Sequence, residues 1–254
     1  MTYKSNKIKY LLEAKRLTQH VANRSFEMMG LKEGMKVLDV GCGLGQDVDT
    51  MTRRYKVNAT GIDQDQEVLK YARENHVGAF HRANVMDLSY TPEAWDTIRT
   101  ERVFQHLPEP KKALGAMYEA LKVGGTLCVV DTVWNSVKLP RLRLLNRSHV
   151  ALTRHALIKQ YVDMTATKGL SDPITTMAGA SGFNCVEFDI VEVRASNLEE
   201  ANKLFDFEAT LGKARDAGII DDNALENALA QALIMDSKGE FFMTVQMNIL
   251  TFTK

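Results

Sequence analysis

Hydrophobic positions in the first 130 residues follow two alternating patterns. Short apolar runs predict buried strands, and between them apolar residues recur every three or four positions, which predicts helices. This alternation indicates βαβ units, hence an α/β fold with a parallel sheet covered by helices on both faces. The predicted strands are 35–40, 58–62, 79–83, 95–100 and 126–130, and the predicted helices are 6–29, 46–54, 66–75 and 110–121.

The pattern changes after Asp131. The later segments predict helices at 174–180, 197–214 and 222–236 and strands at 185–193 and 241–252, the last strand lying antiparallel beside its neighbours. We predict one domain over 1–254, with a helical cap at 1–30, a helical lid inserted at 134–172 and a helical insertion at 197–236.

The composition is that of an ordinary folded domain. Of 254 residues, 45% are hydrophobic and 25% are charged, and 32 Lys and Arg balance 32 Asp and Glu, so no net field attracts nucleic acid. The N-terminal segment is polar, and no apolar stretch approaches the roughly 18 residues of a membrane span. We expect a cytoplasmic enzyme or binding protein without stable membrane insertion.

The sequence predicts no metal site. Its three cysteines, Cys42, Cys128 and Cys185, are far apart in apolar contexts and form no C-x-x-C pair, which favours reduced core thiols over zinc ligands or disulfides. Nor does the sequence contain the clustered acids of a magnesium-dependent site.

The segment 37–45, VLDVGCGLG, carries the strongest functional signal. It predicts a buried strand, a turn with Gly41, Gly43 and Gly45 at alternate positions, and a helix whose first N–H groups face a ligand. The dinucleotide fingerprint G-x-G-x-x-G would need glycine at position 46, where the chain has Gln46. Asp63 ends the next predicted strand. Ligands of such sheets bind at the carboxyl ends of the strands, which is where these residues fall.

Four segments in this order resemble the class I S-adenosylmethionine (SAM)-dependent methyltransferases, in their small-molecule branch. They are VLDVGCGLG, TGIDQD, ANVMDL and the stretch from ERVFQHLPEP to ALKVGGTLCVVD. The resemblance covers about 30–133 and, more weakly, the C-terminal strand. It implies a Rossmann-like, mostly parallel sheet of seven strands with helices on both faces and SAM as cofactor, S-adenosylhomocysteine being the product.

The resemblance also implies roles for single residues. The glycine turn, with Asp39 of the same motif, would hold the methionyl end of SAM, and Asp63 would accept hydrogen bonds from both ribose hydroxyls. A carboxylate suits a vicinal diol because it offers two acceptor oxygens. The N-terminus of the following helix would favour the cofactor's carboxylate. Asp63 could instead cap the next helix, but Asp65 is better placed to do so.

The third segment would bind the adenine. Asp87 would receive its amino group, Val85 or Met86 would flank the ring, and Gln64 would pack beside the adenosine. The alternative for Asp87 is a solvated acid in a loop, since such acids are common. Cys42 is predicted to be a small buried residue of the glycine turn rather than a nucleophile.

The catalytic candidates are His106, Glu101 and His155. A base is needed only where the acceptor must lose a proton. Glu101 would face the sulfonium or the amine of SAM, or it could pair with Arg102 alone; His106 could be a general base or a structural histidine. Arg99 is unusual, because an arginine in a buried strand must be paired or reach the cleft.

The predicted lid gives the only indication of the acceptor. From 132 to 162 the chain has no acid, while basic residues alternate with leucines; the basic residues are Lys138, Arg141, Arg143, Arg147, Arg154 and Lys159. A mobile lid could cover an acceptor with an apolar body and a carboxylate or phosphate. The basic residues could equally pair with the acidic segment 196–240, within the chain or across a homodimer, or form a membrane-surface helix.

These observations favour methyl transfer from SAM to a small metabolite or natural product. A protein of the same fold could bind SAM and catalyse a cyclisation or rearrangement, since the cofactor motifs would be identical. An NAD-dependent oxidoreductase is disfavoured by Gln46 and by the acid of the third segment. Nucleic-acid methyltransferases are disfavoured by the neutral charge and by the lack of an N-P-P-[YF] or D-P-P-[YF] segment.

Overall fold

The computed structural model describes residues 2–90, 92–139, 173–205 and 207–254. Its strands are β1 (Lys36–Val40), β2 (Asn58–Asp63), β3 (Ala79–Arg82), β4 (Trp95–Glu101), β5 (Leu121–Lys138), β6 (Asn184–Ala195) and β7 (Met243–Thr253). They form one seven-stranded sheet in the order β3-β2-β1-β4-β5-β7-β6. β1 to β5 pair in parallel, whereas β7 runs antiparallel to both β5 and β6. The α/β fold and the antiparallel last strand predicted from the sequence are confirmed.

Eight helices are present in the part of the chain that the structure describes. They are α1 (Thr2–Met28), α2 (Gln46–Tyr55), α3 (Gln66–Asn75), α4 (Pro110–Ala120), α5 (Pro173–Ala180), α6 (Leu198–Phe205), α7 (Phe207–Asp216) and α8 (Asp222–Ser237). Two short 3-10 helices span Val85–Tyr90 and Phe104–His106. α3 begins where the sequence predicts, because the carboxylate of Asp65 accepts a hydrogen bond from the N–H of Glu67.

The helices cover both faces of the sheet. On one face, α1, α2, α3 and the helices α6 to α8 pack in a single apolar cluster that contains Phe26, Met51, Leu69 and Phe207. On the other face, α4 and α5 pack with the 3-10 segments around Phe104 and Met117. With both faces covered, β1 is apolar at Val37, Leu38 and Val40, as expected for a buried parallel strand.

One sequence prediction about the second half of the chain is wrong. Residues 134–138, predicted to start the helical insertion, belong to β5, which continues alongside β7 as far as the pair Lys138 and Thr244. Of the predicted helix 197–214, residues 198–205 and 207–214 are helical, in α6 and α7. The rest of the predicted lid, 140–172, lies outside the described residues, as does His155.

Candidate active site

A cavity of about 620 Å³ lies at the carboxyl ends of β1, β2 and β4. Gly41, Asp63 and Glu101, which end these three strands or follow them directly, all line it, as the sequence predicts for a ligand crevice. One side is closed by α1, which contributes Leu11 and Lys15 to the lining.

Glycine is needed at the three positions of the turn for different structural reasons. A side chain on Gly41 would lie 2.4 Å from Val103, and one on Gly45 would lie 2.7 Å from the ring of Phe80. A side chain on Gly43 would meet no atom of the described protein within 4 Å and would point into free space. Gly41 and Gly43 line the cavity, whereas Gly45 lets α2 pack closely against its neighbours.

Asp63 is held in place by two backbone N–H groups at the edge of the cavity. Its Oδ2 accepts from Gly43 N at 3.0 Å and its Oδ1 accepts from Asp65 N at 2.9 Å. Each carboxylate oxygen has a second lone pair, so both can still accept a hydrogen bond from a ligand. The Lys7 ammonium of α1 pairs with Asp65, whose side chain also lines the cavity.

The residues predicted to bind adenine are only partly brought together. Val85 and Gln64 line the cavity. Met86 is half-buried and packs against the core on the α4 side, and Asp87 is exposed in the 3-10 helix; neither is among the lining residues. The roles of Met86 and Asp87 therefore stay predictions.

The contacts of Arg99 explain why an arginine is tolerated in a buried strand. The side chain is 1% exposed and reaches three carboxylates, donating to Asp39 at 3.2 Å, to Asp47 at 3.0 Å and to Glu101. Its Nε donates to Ser25 Oγ at 3.0 Å. The expectation that this arginine is paired or reaches the cleft is confirmed, since it is paired and also lines the cavity.

Lys15 of α1 joins the same group of charges. Its Nζ donates to Asp47 Oδ2 at 2.6 Å and to Glu101 Oε2 at 3.0 Å, and both acids are buried. We call Lys15, Asp39, Asp47, Arg99 and Glu101 the buried charge cluster. All five residues line the cavity, so the cluster forms the wall beside the glycine turn.

The cluster shifts the pKa values of its acids in opposite directions. Burial raises the pKa of Asp39 to about 7, although the charge of Arg99 opposes this shift. Burial also acts to raise the pKa of Glu101, but Lys15 and Arg99 together hold that pKa well below its usual range. Glu101 is therefore anionic at neutral pH, whereas Asp39 titrates near it.

Lys15 and Asp47 are members of the site that the sequence prediction missed. Asp47 lies in the first turn of α2, where the helix dipole favours an anion. Its Oδ1 is buried and has no hydrogen-bond partner among the described residues. The sequence feature that could have identified Lys15 is its position on the apolar side of the first helix, between Leu11 and Thr18.

His106 lies at the cavity, next to Arg102 at the end of β4. It is an exposed residue, and partial desolvation of its imidazole together with the charge of Arg102 lowers its pKa. The ring is therefore neutral near pH 7, and Nε2 lies 3.2 Å from Gln105 Nε2. Arg102 also approaches Glu101, at 3.9 Å, so the predicted local pairing is present as well.

Part of the cavity lining is apolar. Val193, Leu204, Val245 and Met247 line it, contributed by β6, α6 and β7. Cys42 is buried against Gly61, and burial raises the pKa of its thiol, so a reactive thiolate is disfavoured at this site.

No helix among the described residues has the length and apolarity needed to cross a membrane.

Known proteins with similar sequences and structures include several methyltransferases. The chain is 30% identical over 110 residues to phosphoethanolamine N-methyltransferase 3 of Arabidopsis thaliana, a match covering 41% of this chain and 22% of that protein. Phosphoethanolamine N-methyltransferase 2 of Haemonchus contortus, solved with S-adenosyl-L-methionine, superposes with a TM-score of 0.58 at 15% identity, covering 96% of this chain and 56% of that one.

The fold is shared with a protein of different activity. The [4+2]-cyclase SpnF superposes with a TM-score of 0.56 at 21% identity, covering 92% of this chain and 80% of that one. At such identities the likeness establishes the fold alone.

The family model described as a methyltransferase domain matches residues 31–169, which is more than half of the sequence. The chain therefore belongs to the methyltransferase domain family.

Proposed function

We propose that this protein transfers a methyl group from SAM to a small-molecule acceptor. The observation that carries the proposal is Asp63, a cavity-lining residue whose two carboxylate oxygens are fixed by the N–H groups of Gly43 and Asp65. A rigid carboxylate at a strand end suits a ribose diol, and family membership favours the adenosyl sulfonium over a dinucleotide.

The residues present fit this cofactor. Free space above Gly43 leaves room for a ligand against the backbone, and the unpartnered Oδ1 of Asp47 is an acceptor suited to a cation. Asp63 would hold the ribose, the glycine turn the methionyl end, and Val85 and Gln64 the adenosine. When bound, SAM supplies a methyl group already activated by the positive sulfur.

We propose His106 as the base for an acceptor that must lose a proton. Its imidazole is neutral near pH 7 and lines the cavity, so it can accept a proton from an oxygen or nitrogen acceptor. The apolar wall of Val193, Val245 and Met247 would surround the acceptor's apolar body. An anionic group on the acceptor, held by the basic residues of 138–159, stays a prediction.

The test is turnover with methyl-labelled SAM and pools of small-molecule acceptors. Transfer of label with formation of S-adenosylhomocysteine supports the proposal. Product formation without S-adenosylhomocysteine would instead indicate a non-methylation reaction on the same fold. Calorimetric titration with SAM and NAD is the second measurement, and tighter binding of NAD would overturn the proposal.

A further inference from the structure

The strongest unexplained feature of the cavity is the carboxylate of Asp47. Its side chain is only 9% exposed, yet the residue lines the cavity, and Oδ1 lacks a hydrogen-bond partner within the described residues. A buried polar atom without a partner destabilises a protein, and more so when it is charged, so such atoms call for an explanation.

The neighbouring cations do not supply the missing contact. Lys15 Nζ and Arg99 NH1 both donate to Oδ2, at 2.6 and 3.0 Å. Asp47 therefore has one oxygen shared by two cations and one oxygen to which no described residue donates. Because the terminal torsion of an aspartate is broad, rotation about it can turn the carboxylate so that Oδ1 accepts from a donor in the cavity.

The charges of the cluster also favour an additional cation. Its five side chains are about nine-tenths buried or more and comprise three carboxylates, Asp39, Asp47 and Glu101, against two cations. The third nearby cation, Arg102, is more exposed and approaches one acid of the cluster, Glu101, at 3.9 Å. Asp39 contacts Arg99 alone of the two cations, at 3.2 Å, so Lys15 and Arg99 are shared among all three acids.

From this arrangement we infer that Asp47 binds the α-ammonium group of the cofactor. The inference rests on the proposed function and adds a cofactor-binding residue to it. Asp47 is two residues after Gly45, beside the glycine turn and therefore at the amino-acid end of the cofactor rather than at the ribose, where Asp63 lies. Of the two charged groups at that end, the ammonium is the one that a carboxylate attracts.

The experiment compares two ligands by calorimetry. One is S-adenosylhomocysteine, and the other is its analogue in which hydrogen replaces the α-amino group. The wild-type protein should bind the parent ligand at least tenfold more tightly, because only the parent can donate to Asp47. The nearly isosteric Asp47→Asn should reduce this preference to within about twofold, because the amide lacks the charge that binds the ammonium.

The control is Asp49→Asn, which changes an acid on the same helix that pairs with Arg53 and does not line the cavity. It should keep the wild-type preference. If Asp47→Asn fails to fold, Asp47→Glu displaces the carboxylate by one methylene and should also reduce the preference.

Two results would overturn the inference: equal binding of the two ligands by the wild type, or a folded Asp47 variant in which the affinity for both ligands falls equally, so that the preference is unchanged. The last would indicate that Asp47 only supports the cluster. Failure of the wild type to bind S-adenosylhomocysteine at all would overturn the proposed function as well, so the two failures are distinguishable.

Discussion

At the residue scale, Asp63 has a structural role and a predicted binding role, and Asp63→Ala should affect both. It accepts hydrogen bonds from Gly43 N and Asp65 N, and it faces the cavity. Asp63→Ala should lower the affinity for S-adenosylhomocysteine by about 2–4 kcal/mol, since charge-assisted contacts to the ribose are lost. It should also lower the free energy of unfolding by about 1–2 kcal/mol, because two N–H groups lose their acceptor.

Calorimetry and urea denaturation measure these two losses. Asp65→Ala is the matched control, because it removes the cap of α3 without removing the predicted ribose acceptor. It should cost about 1 kcal/mol of stability, with much less loss of affinity. An Asp63→Ala protein that binds within twofold of the wild type would contradict the ribose assignment.

Asp39 makes stability depend on pH. Its pKa is about 7 in the folded protein, raised by burial, and near 4 when the chain is unfolded. Between these values the folded state holds more protons, so the free energy of unfolding should fall as the pH rises from about 4 to 7. Asp39→Asn keeps an acceptor for Arg99 and removes the titration. The variant should therefore gain stability relative to the wild type across this window, by on the order of 2 kcal/mol.

The measurement is urea denaturation from pH 5 to 8, taken as the difference between variant and wild type so that other groups cancel. Asp96→Asn, on the neighbouring strand β4, is the matched control. The hydrogen bond from Lys122 lowers the pKa of Asp96, so its difference should be constant above about pH 5. A constant difference for Asp39→Asn as well would contradict the raised pKa.

At the element scale, two glycines of the turn between β1 and α2 should affect different properties, Gly45 mainly the stability and Gly43 mainly the cofactor affinity. Gly45 has φ +83°, and a side chain there would lie 2.7 Å from Phe80 and 2.8 Å from Ala72. Gly45→Ala should cost about 2–4 kcal/mol, from the left-handed backbone and the overpacking together. Gly43 has φ +51° with no atom of the described protein within 4 Å. Gly43→Ala should cost only about 1–2 kcal/mol of stability but should lose most of the affinity, because its methyl group enters the cavity.

Chemical denaturation and calorimetry on both variants test this separation. Equal stability losses, or unchanged cofactor affinity in Gly43→Ala, would contradict it.

Elements whose structure depends on residues adjacent in sequence were predictable, whereas elements that depend on distant contacts were not. Helix 66–75 was predictable to the residue because its cap, Asp65, is adjacent in sequence. The strand at 134–138 was not predictable in this way, because it depends on pairing with β7 more than 100 residues later in the chain. In the site, the glycines and Asp63 form a local motif. Lys15 and Asp47 acquire their roles only when α1 packs against the cavity.

At the scale of the whole molecule, the buried charge cluster joins the N-terminal helix to the body of the domain. Lys15 comes from α1, Asp47 from α2, and Arg99 and Glu101 from β4. A second ion pair, between Lys7 and Asp65, joins the same helix to the start of α3. The two pairs differ in burial, since the side chain of Lys15 is 10% exposed and that of Lys7 is 44% exposed.

This difference predicts unequal losses when either lysine is replaced by methionine, which keeps most of the apolar stem. Lys15→Met should lower the free energy of unfolding by about 2–4 kcal/mol, because two buried carboxylates lose a cation. Lys7→Met should cost less than about 1 kcal/mol, as exposed pairs do. Urea denaturation at low and high salt measures both: the Lys7 effect should shrink at about 1 M salt, whereas the Lys15 effect should persist, because buried charges are poorly screened. Equal, salt-sensitive losses would mean that α1 is held to the domain by surface charge, and that Lys15 is not part of the cavity wall in solution.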